Sequence, residues 1–553
     1  MIPPLIAQVV VGVPVEGPFD YLIPEELAAR VAEGQRVLVR FAGRKRVGVI
    51  VRLLADSQHT GKLSVLMSVL DAAPVFSPEF IRLADVFSRR FACTTGEAFA
   101  SFLPSYLREP KIAAVMPRNP VTAKSHPSLE LIFDRGQTKR WDILLPRISA
   151  TLQQGRGALV LVPDSARCAD VLAKLGPLAR PDERVFLAQD TPKKEFERWL
   201  KVRNGQARLA VGFVSAVFAP VQGLGLIVVI DEESGSYKND QAPFYHAREV
   251  ALARALLEGC AVVCVSSAPS AEMWHKVEMK EAAFVCCDAA LPPVKLLDLT
   301  NFKMKKGTYV AAGLRQLMET ALKDGRKVLC YIQAARGVAG VVAEIKKLLP
   351  AARVEGYDKA SAALGADVDI LVATQAIFRY RASFKAALGV VLDIDWEFHK
   401  HHYQAAQGAF ALVQHLRQMT LEQVVLQTRN AADPLLQALA AADPAAFYAR
   451  ELAQRRDMEL PPFAAHVTVI LRSSAHEVAC GEAKRLYDNL EALRPEGVMV
   501  LDPQEDRVAV VRGKFRYCVT LQGPDRDAVV GLVKGTLKAF RPKKGTVVTV
   551  NVE

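Results

Sequence analysis

The sequence predicts a multidomain α/β protein. Its plan is an N-terminal β-barrel-like module, two consecutive parallel α/β lobes and a C-terminal α+β domain of ferredoxin-like layout. Three observations predict it. A length of 553 residues exceeds what one core supports. Continuous apolar strands alternate with helical stretches through the middle of the chain. The last hundred residues read in the order βαββαβ.

The first 104 residues carry β-rich segments at Leu5–Val13, Phe19–Ile23, Arg36–Phe41 and Val47–Leu53, separated by Pro and Gly signals. Phe80, Leu83, Ala84 and Phe87 then recur at helical spacing within Glu79–Phe91. A small barrel-like module closed by a helix is expected. Residues 105–127 break the pattern with Pro110, Pro117, Pro120 and Pro127, and read as an exposed linker. In 128–298 the apolar runs Leu159–Val162, Leu209–Val211, Leu226–Ile230 and Val262–Val265 predict buried parallel strands. Val328–Ile332, Ile370–Ala373, Val390–Asp393 and Val424–Gln427 do the same for 299–435. In 436–553, strands at Val467–Leu471, Val498–Leu501 with Val508–Val511, Tyr517–Leu521 and Thr546–Val552 flank helices at Glu477–Leu493 and Asp525–Phe540.

Composition narrows the function. No apolar run approaches the roughly 20 residues that span a bilayer. The start, Met1-Ile2-Pro3-Pro4, has no basic leader, so a cytoplasmic location is expected. The nine cysteines are scattered and never form a CxxC pair, so no metal site is expected. A net charge of +12 suits a polyanionic partner, because Lys and Arg that neutralise phosphates release counterions.

Motifs sharpen this. The strand Leu226–Ile230 runs into Asp231-Glu232-Glu233-Ser234, then Ser236-Tyr237-Lys238 and Tyr245-His246-Ala247-Arg248-Glu249. Carboxylates at the carboxyl end of a parallel strand are where α/β nucleotide hydrolases hold magnesium and activate water. With its spacing, this composite resembles the Walker B region of the PriA family of replication-restart helicases. Phe19-Asp20-Tyr21, Val37–Phe41, Gly96-Glu97, Gly212–Ala216, Phe447–Phe463 and Arg512–Tyr517 resemble other segments of that family, in the same order.

The resemblance implies two RecA-like helicase lobes preceded by a domain that binds the 3′ end of a nascent DNA strand. It places Phe19, Asp20 and Tyr21 at that end, with an aromatic ring under the terminal base and a carboxylate on the 3′-hydroxyl. Lys62 and Ser64 both fall near the family's pocket lysine. Arg36, Arg40, Arg44, Lys45 and Arg46 are candidate phosphate contacts, and Arg512, Lys514 and Arg516 are candidates in the C-terminal domain.

The departures are equally specific. A phosphate loop needs glycines for close backbone approach, a Lys for the phosphates and a hydroxyl for magnesium. At that place the chain reads Asp134-Arg135-Gly136-Gln137-Thr138-Lys139-Arg140-Trp141. Asp134 and Lys139 stand for glycines, Arg140 for the lysine and Trp141 for the hydroxyl. The family's threonine is missing from Ser266–Ser270, and its arginine-finger motif is replaced by Gln414–Met419, with Arg417 a displaced candidate or an exposed helical Arg. The short 105–127 connector replaces the family's winged helix, and no cysteine lies between Gly337 and Glu355, where its zinc module would be inserted.

The expectation is therefore a monomeric, fork-binding restart protein without ATPase or helicase activity and without a cofactor. Its partners would be forked DNA with a nascent 3′ end, and primosome and single-strand-binding proteins. Asp231 and Glu232 are either a remnant or a surviving cation site. Two further readings stand beside this one: an ATP-driven helicase with a non-standard site, and a protein-only scaffold.

Overall fold

A computed structural model describes residues 6–111, 115, 126–188, 190–302, 304–305, 307–361, 363–365, 367–381, 383–400 and 402–553. Most of the expected linker lies outside the described residues. The chain forms two compact units, one of residues 1–130, 141–264 and 459–553, the other of 131–140 and 265–458.

In the first unit, β1 (Ile6–Val11), β2 (Phe19–Leu22), β3 (Arg36–Phe41), β4 (Arg44–Leu54), β5 (Ser64–Val65) and β6 (Ser68–Val69) form a sheet in the order β5-β2-β1-β4-β3-β6. β5 and β6 are nearly continuous in the chain. The Leu66 N–H donates to the Leu22 carbonyl and the Met67 N–H to that of Leu38, so this segment joins both ends of the sheet. Ala7, Val9, Val11, Tyr21, Val37, Val39 and Ile50 fill its inside.

The helix Pro78–Arg90 starts on a Ser77 cap with Pro at its first position and buries Phe80, Leu83, Ala84 and Phe87. The next helix, Thr95–Phe102, opens with a capping box between Thr94 and Glu97. Gly96 is required there: a Cβ would stand 1.9 Å from the Val11 carbonyl oxygen. The Gly96-Glu97 pair thus seats a helix against β1.

β7 (Ser128–Asp134) follows in the chain. β8 (Gly157–Leu161), β9 (Arg184–Leu187), β10 (Leu209–Gly212) and β11 (Leu224–Ile230) are parallel, in the order β11-β8-β10-β9. β8, β10 and β11 are buried at every position, as expected where helices cover both faces. β12 (Ala261–Ser266) and β13 (Ala283–Cys287) come next.

The second unit holds β14 (Val294–Asp298), β15 (Val328–Tyr331), β16 (Val354–Tyr357), β17 (Ile370–Ala373), β18 (Ala386–Val391) and β19 (Thr420–Thr428). All pair in parallel, in the order β14-β19-β18-β15-β17-β16. Leu329, Leu371, Val391 and Leu426 pack on one face of this sheet, and Val328, Ile370, Val390 and Val425 on the other.

The first unit closes with β20 (Ala465–Ser473), β21 (Met499–Val500), β22 (Gln504–Val511), β23 (Lys514–Gly523) and β24 (Val547–Val552). The antiparallel order is β21-β23-β20-β24, with β22 also on β23. β20 alternates buried and half-buried residues, and its buried face packs on the helices His476–Leu493 and Arg526–Ala539. The stretch expected as one strand from Val498 to Val511 is two, β21 and β22.

Candidate nucleic-acid interface

The β3–β4 hairpin turns at Ala42 and Gly43, both left-handed at φ 47° and 78°. Such a pair matches the twist of the flanking strands. Arg40 pairs with Lys45 across the ladder, Phe41 with Arg44 and Val39 with Arg46. All four cations are exposed, and none has an acidic partner among the described residues. The C-terminal β22–β23 hairpin repeats the device: Arg512 and Gly513 turn at φ 49° and 72°, and Arg512 and Lys514 are exposed. Arg516 differs, being ion-paired with Asp506 at 2.5 Å.

Arg36 is a correction. It is wholly buried, its Nη2 and Nε donating to Asp71 at 2.5 and 2.9 Å and its Nη1 to the Leu107 carbonyl at 2.7 Å. It cannot reach a phosphate. Tyr21 is another: 3% exposed, it packs in the barrel core, and its hydroxyl donates to the Arg40 carbonyl at 3.2 Å. Phe19 is half-buried against Phe41, ring centroids 4.8 Å apart. Asp20, between them in the strand, points to the other face and accepts from Gln8 Nε2 at 3.1 Å and from the Ser57 hydroxyl. Ser57 lies on the loop between β4 and β5 that carries exposed Lys62. Asp20 and Lys62 are thus tied to one loop, and Tyr21 serves the core.

The segment Asp134–Trp141, expected at the family's phosphate loop, bonds within itself. Asp134 and Arg140 are both buried. Asp134 Oδ2 accepts the backbone N–H of Arg140 at 3.0 Å and faces its guanidinium Nε at 3.5 Å. Arg140 opens the helix Arg140–Gln153, and a helix N-terminus is where a phosphate would bind. Gln137 turns left-handed at φ 57° and donates to the Ser267 hydroxyl at 3.2 Å; Gly136 and Lys139 lie in the same turn. Trp141 follows Arg140 in the helix with no hydroxyl to offer a metal.

The carboxylates after β11 are likewise occupied. Asp231 is buried in a left-handed conformation at φ 49°, with Arg167 Nε 3.3 Å away. Glu232, fully buried, accepts from Arg248 Nη1 at 2.6 Å. The Tyr-Lys and Tyr-His-Ala-Arg-Glu segments that follow are braces. Tyr237 donates its hydroxyl to the Leu161 and Ile230 carbonyls at 2.9 and 2.6 Å. Lys238 donates to the Val552 carbonyl at 3.0 Å, and burial lowers its pKa to about 8. His246 caps the helix Ala247–Glu258 by accepting the Arg248 N–H at 3.3 Å; burial first, then Arg248, lowers its pKa to about 3. Glu249 bonds Arg90 and lies 3.2 Å from Arg248 Nε. Burial opposes its charge, but Arg90 and Arg248 hold the carboxyl well below its usual range. Sequence reasoning missed Arg167, Arg90 and Asp71 as partners, since each stands far from its carboxylate or guanidinium along the chain.

Arg417 is not exposed. It is buried, donates to the Pro292 carbonyl at 2.8 Å, and has its pKa lowered to about 10 by burial. No group of three or more His, Cys, Asp or Glu residues able to hold a metal ion occurs among the described residues. No helix there is long and apolar enough to cross a membrane.

These features define a multidomain α/β protein whose N-terminal barrel carries a basic hairpin and whose later sequence builds parallel sheets. Residues 8–104 match the family described as the PriA 3′DNA-binding domain (3′BD). The replication restart protein PriA of Treponema pallidum is 23% identical over 99% of this chain and 98% of its own length. The probable replication restart protein PriA of Mycobacterium bovis is 33% identical over 56% of this chain and 52% of its own length. The chain is PriA-like. Among solved structures, the DUF1998 helicase MrfA bound to DNA and AMPPNP gives a TM-score of 0.38 at 12% identity, covering 68% of this chain and 53% of that one.

Proposed function

We propose that this chain is a replication-restart protein that binds DNA at stalled or branched forks and helps primosome assembly, without ATP hydrolysis or unwinding. The observation that carries it is the contrast between its two kinds of site. The N-terminal hairpin keeps exposed cations with no acidic partner among the described residues, whereas the phosphate position is taken by the chain's own Asp134. The residues present do not fit a nucleotide with magnesium. A phosphate entering at Arg140 would meet the Asp134 carboxylate, and a metal at Asp231 or Glu232 would displace Arg167 or Arg248. Phosphoryl transfer rests almost wholly on positioning and electrostatics, so little catalysis survives such a rearrangement.

The order of β20 to β24 supports a ferredoxin-like C-terminal domain, with Arg512 and Lys514 on its hairpin as second DNA contacts. Forked DNA, primosome proteins and single-strand-binding protein are its partners in this reading, and it acts as a monomer. At the nascent end, Asp20 offers the acceptor for the 3′-hydroxyl, held by Ser57 of the loop that carries Lys62, while Phe19 lies half-buried against Phe41 on the opposite face of β2. The test is a titration of forks ending in 3′-hydroxyl or 3′-phosphate against wild type and Asp20→Ala. Wild type should prefer the hydroxyl end and the variant should lose the preference. Equal wild-type affinity for both ends contradicts the reading of this pocket.

A further inference from the structure

The parallel sheet of the second unit reverses its strand order between β15 and β18, with β17 and β16 on one side and β19 and β14 on the other. Loops leaving the carboxyl ends of strands diverge at such a point and open a crevice that α/β proteins use for ligands. A cavity of about 580 Å³ stands there, bounded by Leu392 and Asp393 after β18 and by the end of β19. That is the size of a small-molecule site.

Its wall combines an aromatic platform with an uncompensated cation. Trp396 is 44% exposed. Its backbone N–H donates to Asp393 Oδ1 at 3.2 Å, while Arg336 pairs with Asp393 Oδ2 at 2.5 Å and stands 5.2 Å over the indole. Asp393 therefore fixes the platform. Asp395 is committed too, accepting the Thr428 hydroxyl and the Arg429 backbone N–H. The Arg429 guanidinium donates only to the Phe302 carbonyl, at 3.5 Å, and has no acidic partner among the described residues. The Asn430 side-chain amide makes no hydrogen bond among them and lines the same cavity.

We infer that this cavity takes one unpaired nucleotide, its base on the Trp396 indole, its edge toward Asn430 and its phosphate on Arg429. Every base offers a face to such a ring, so stacking there is indifferent to sequence. A guanidinium without a carboxylate matches a phosphate in charge and fork geometry. The nucleotide comes from a single DNA strand or from the free mononucleotide pool. The single-strand source rests on the DNA-binding reading above, and the mononucleotide source does not.

The experiment follows tryptophan fluorescence of the full chain with two probes: thymidine monophosphate and a short oligo-dT blocked by a 3′-phosphate, which does not satisfy the nascent-end pocket. Saturable quenching that disappears in Trp396→Phe is expected, and Arg429→Gln should weaken it roughly ten-fold. Quenching by the oligonucleotide alone assigns the single strand as source; quenching by both assigns the mononucleotide as well. No quenching by either probe, or undiminished quenching in Trp396→Phe, overturns the site. The fork-end titration leaves Trp396 untouched, so the two readings fail separately.

Discussion

Asp134 Oδ2 accepts the backbone N–H of Arg140 at 3.0 Å, placing a carboxylate of the chain itself at the start of the helix Arg140–Gln153. An internal anion thus satisfies the N–H group and the partial positive charge that would otherwise draw a phosphate. Asp134→Ala would remove the acceptor of that N–H and take a carboxylate from beside the buried Arg140 guanidinium. Breaking a buried pair from one side costs about 3–5 kcal/mol. Denaturant unfolding should show a loss of that order, and Asp134→Asn, which keeps an acceptor for the N–H, should lose less.

The brace around Glu232 and Glu249 predicts acid sensitivity. The His246 pKa falls from its usual 6.5 to about 3 in the folded chain. The unfolded chain therefore takes up a proton first as pH drops, and the contribution of His246 is lost progressively below about pH 6.5. Glu249, also depressed, adds a loss that begins in the ordinary carboxylate range and continues below it. His246→Asn keeps a cap acceptor without titrating. Thermal melts of that variant between pH 7 and pH 5 should be flatter than those of wild type.

The basic residues of the N-terminal module should divide by burial. Replacing Arg40, Arg44, Lys45 and Arg46 together with Gln should weaken fork binding and flatten its salt dependence, by about 0.9 in log–log slope for each phosphate that is no longer neutralised. Stability should change by no more than about 0.5 kcal/mol per exposed site. Arg36→Ala should do the reverse, costing about 3–5 kcal/mol of stability with the salt slope unchanged. Fork titrations at several salt concentrations, with melts of the same proteins, separate the two.

The strands were legible because buried parallel strands are written as continuous apolar runs, as in Leu224–Ile230 and Ile370–Ala373. Charge was less legible, because sequence does not say where a cation's partner lies. Arg36 meets Asp71 and Arg90 meets Glu249 only after the chain has folded. Tyr21 follows from a simpler rule. Two residues from Phe19 in an extended strand, it shares the core face, which leaves Asp20 alone on the other. The substitutions in the phosphate loop were visible from the start. That Asp134 turns onto Arg140 was not, since a loop's closure depends on its backbone path. The Trp396 cavity depends on strand order, which local pattern does not encode.

ATP hydrolysis by the full chain at saturating forked DNA, measured beside Glu232→Ala, tests the central claim most directly. The self-occupied phosphate position predicts that wild type and variant hydrolyse ATP equally, at the rate without DNA. DNA-stimulated hydrolysis in wild type that vanishes in Glu232→Ala would contradict it.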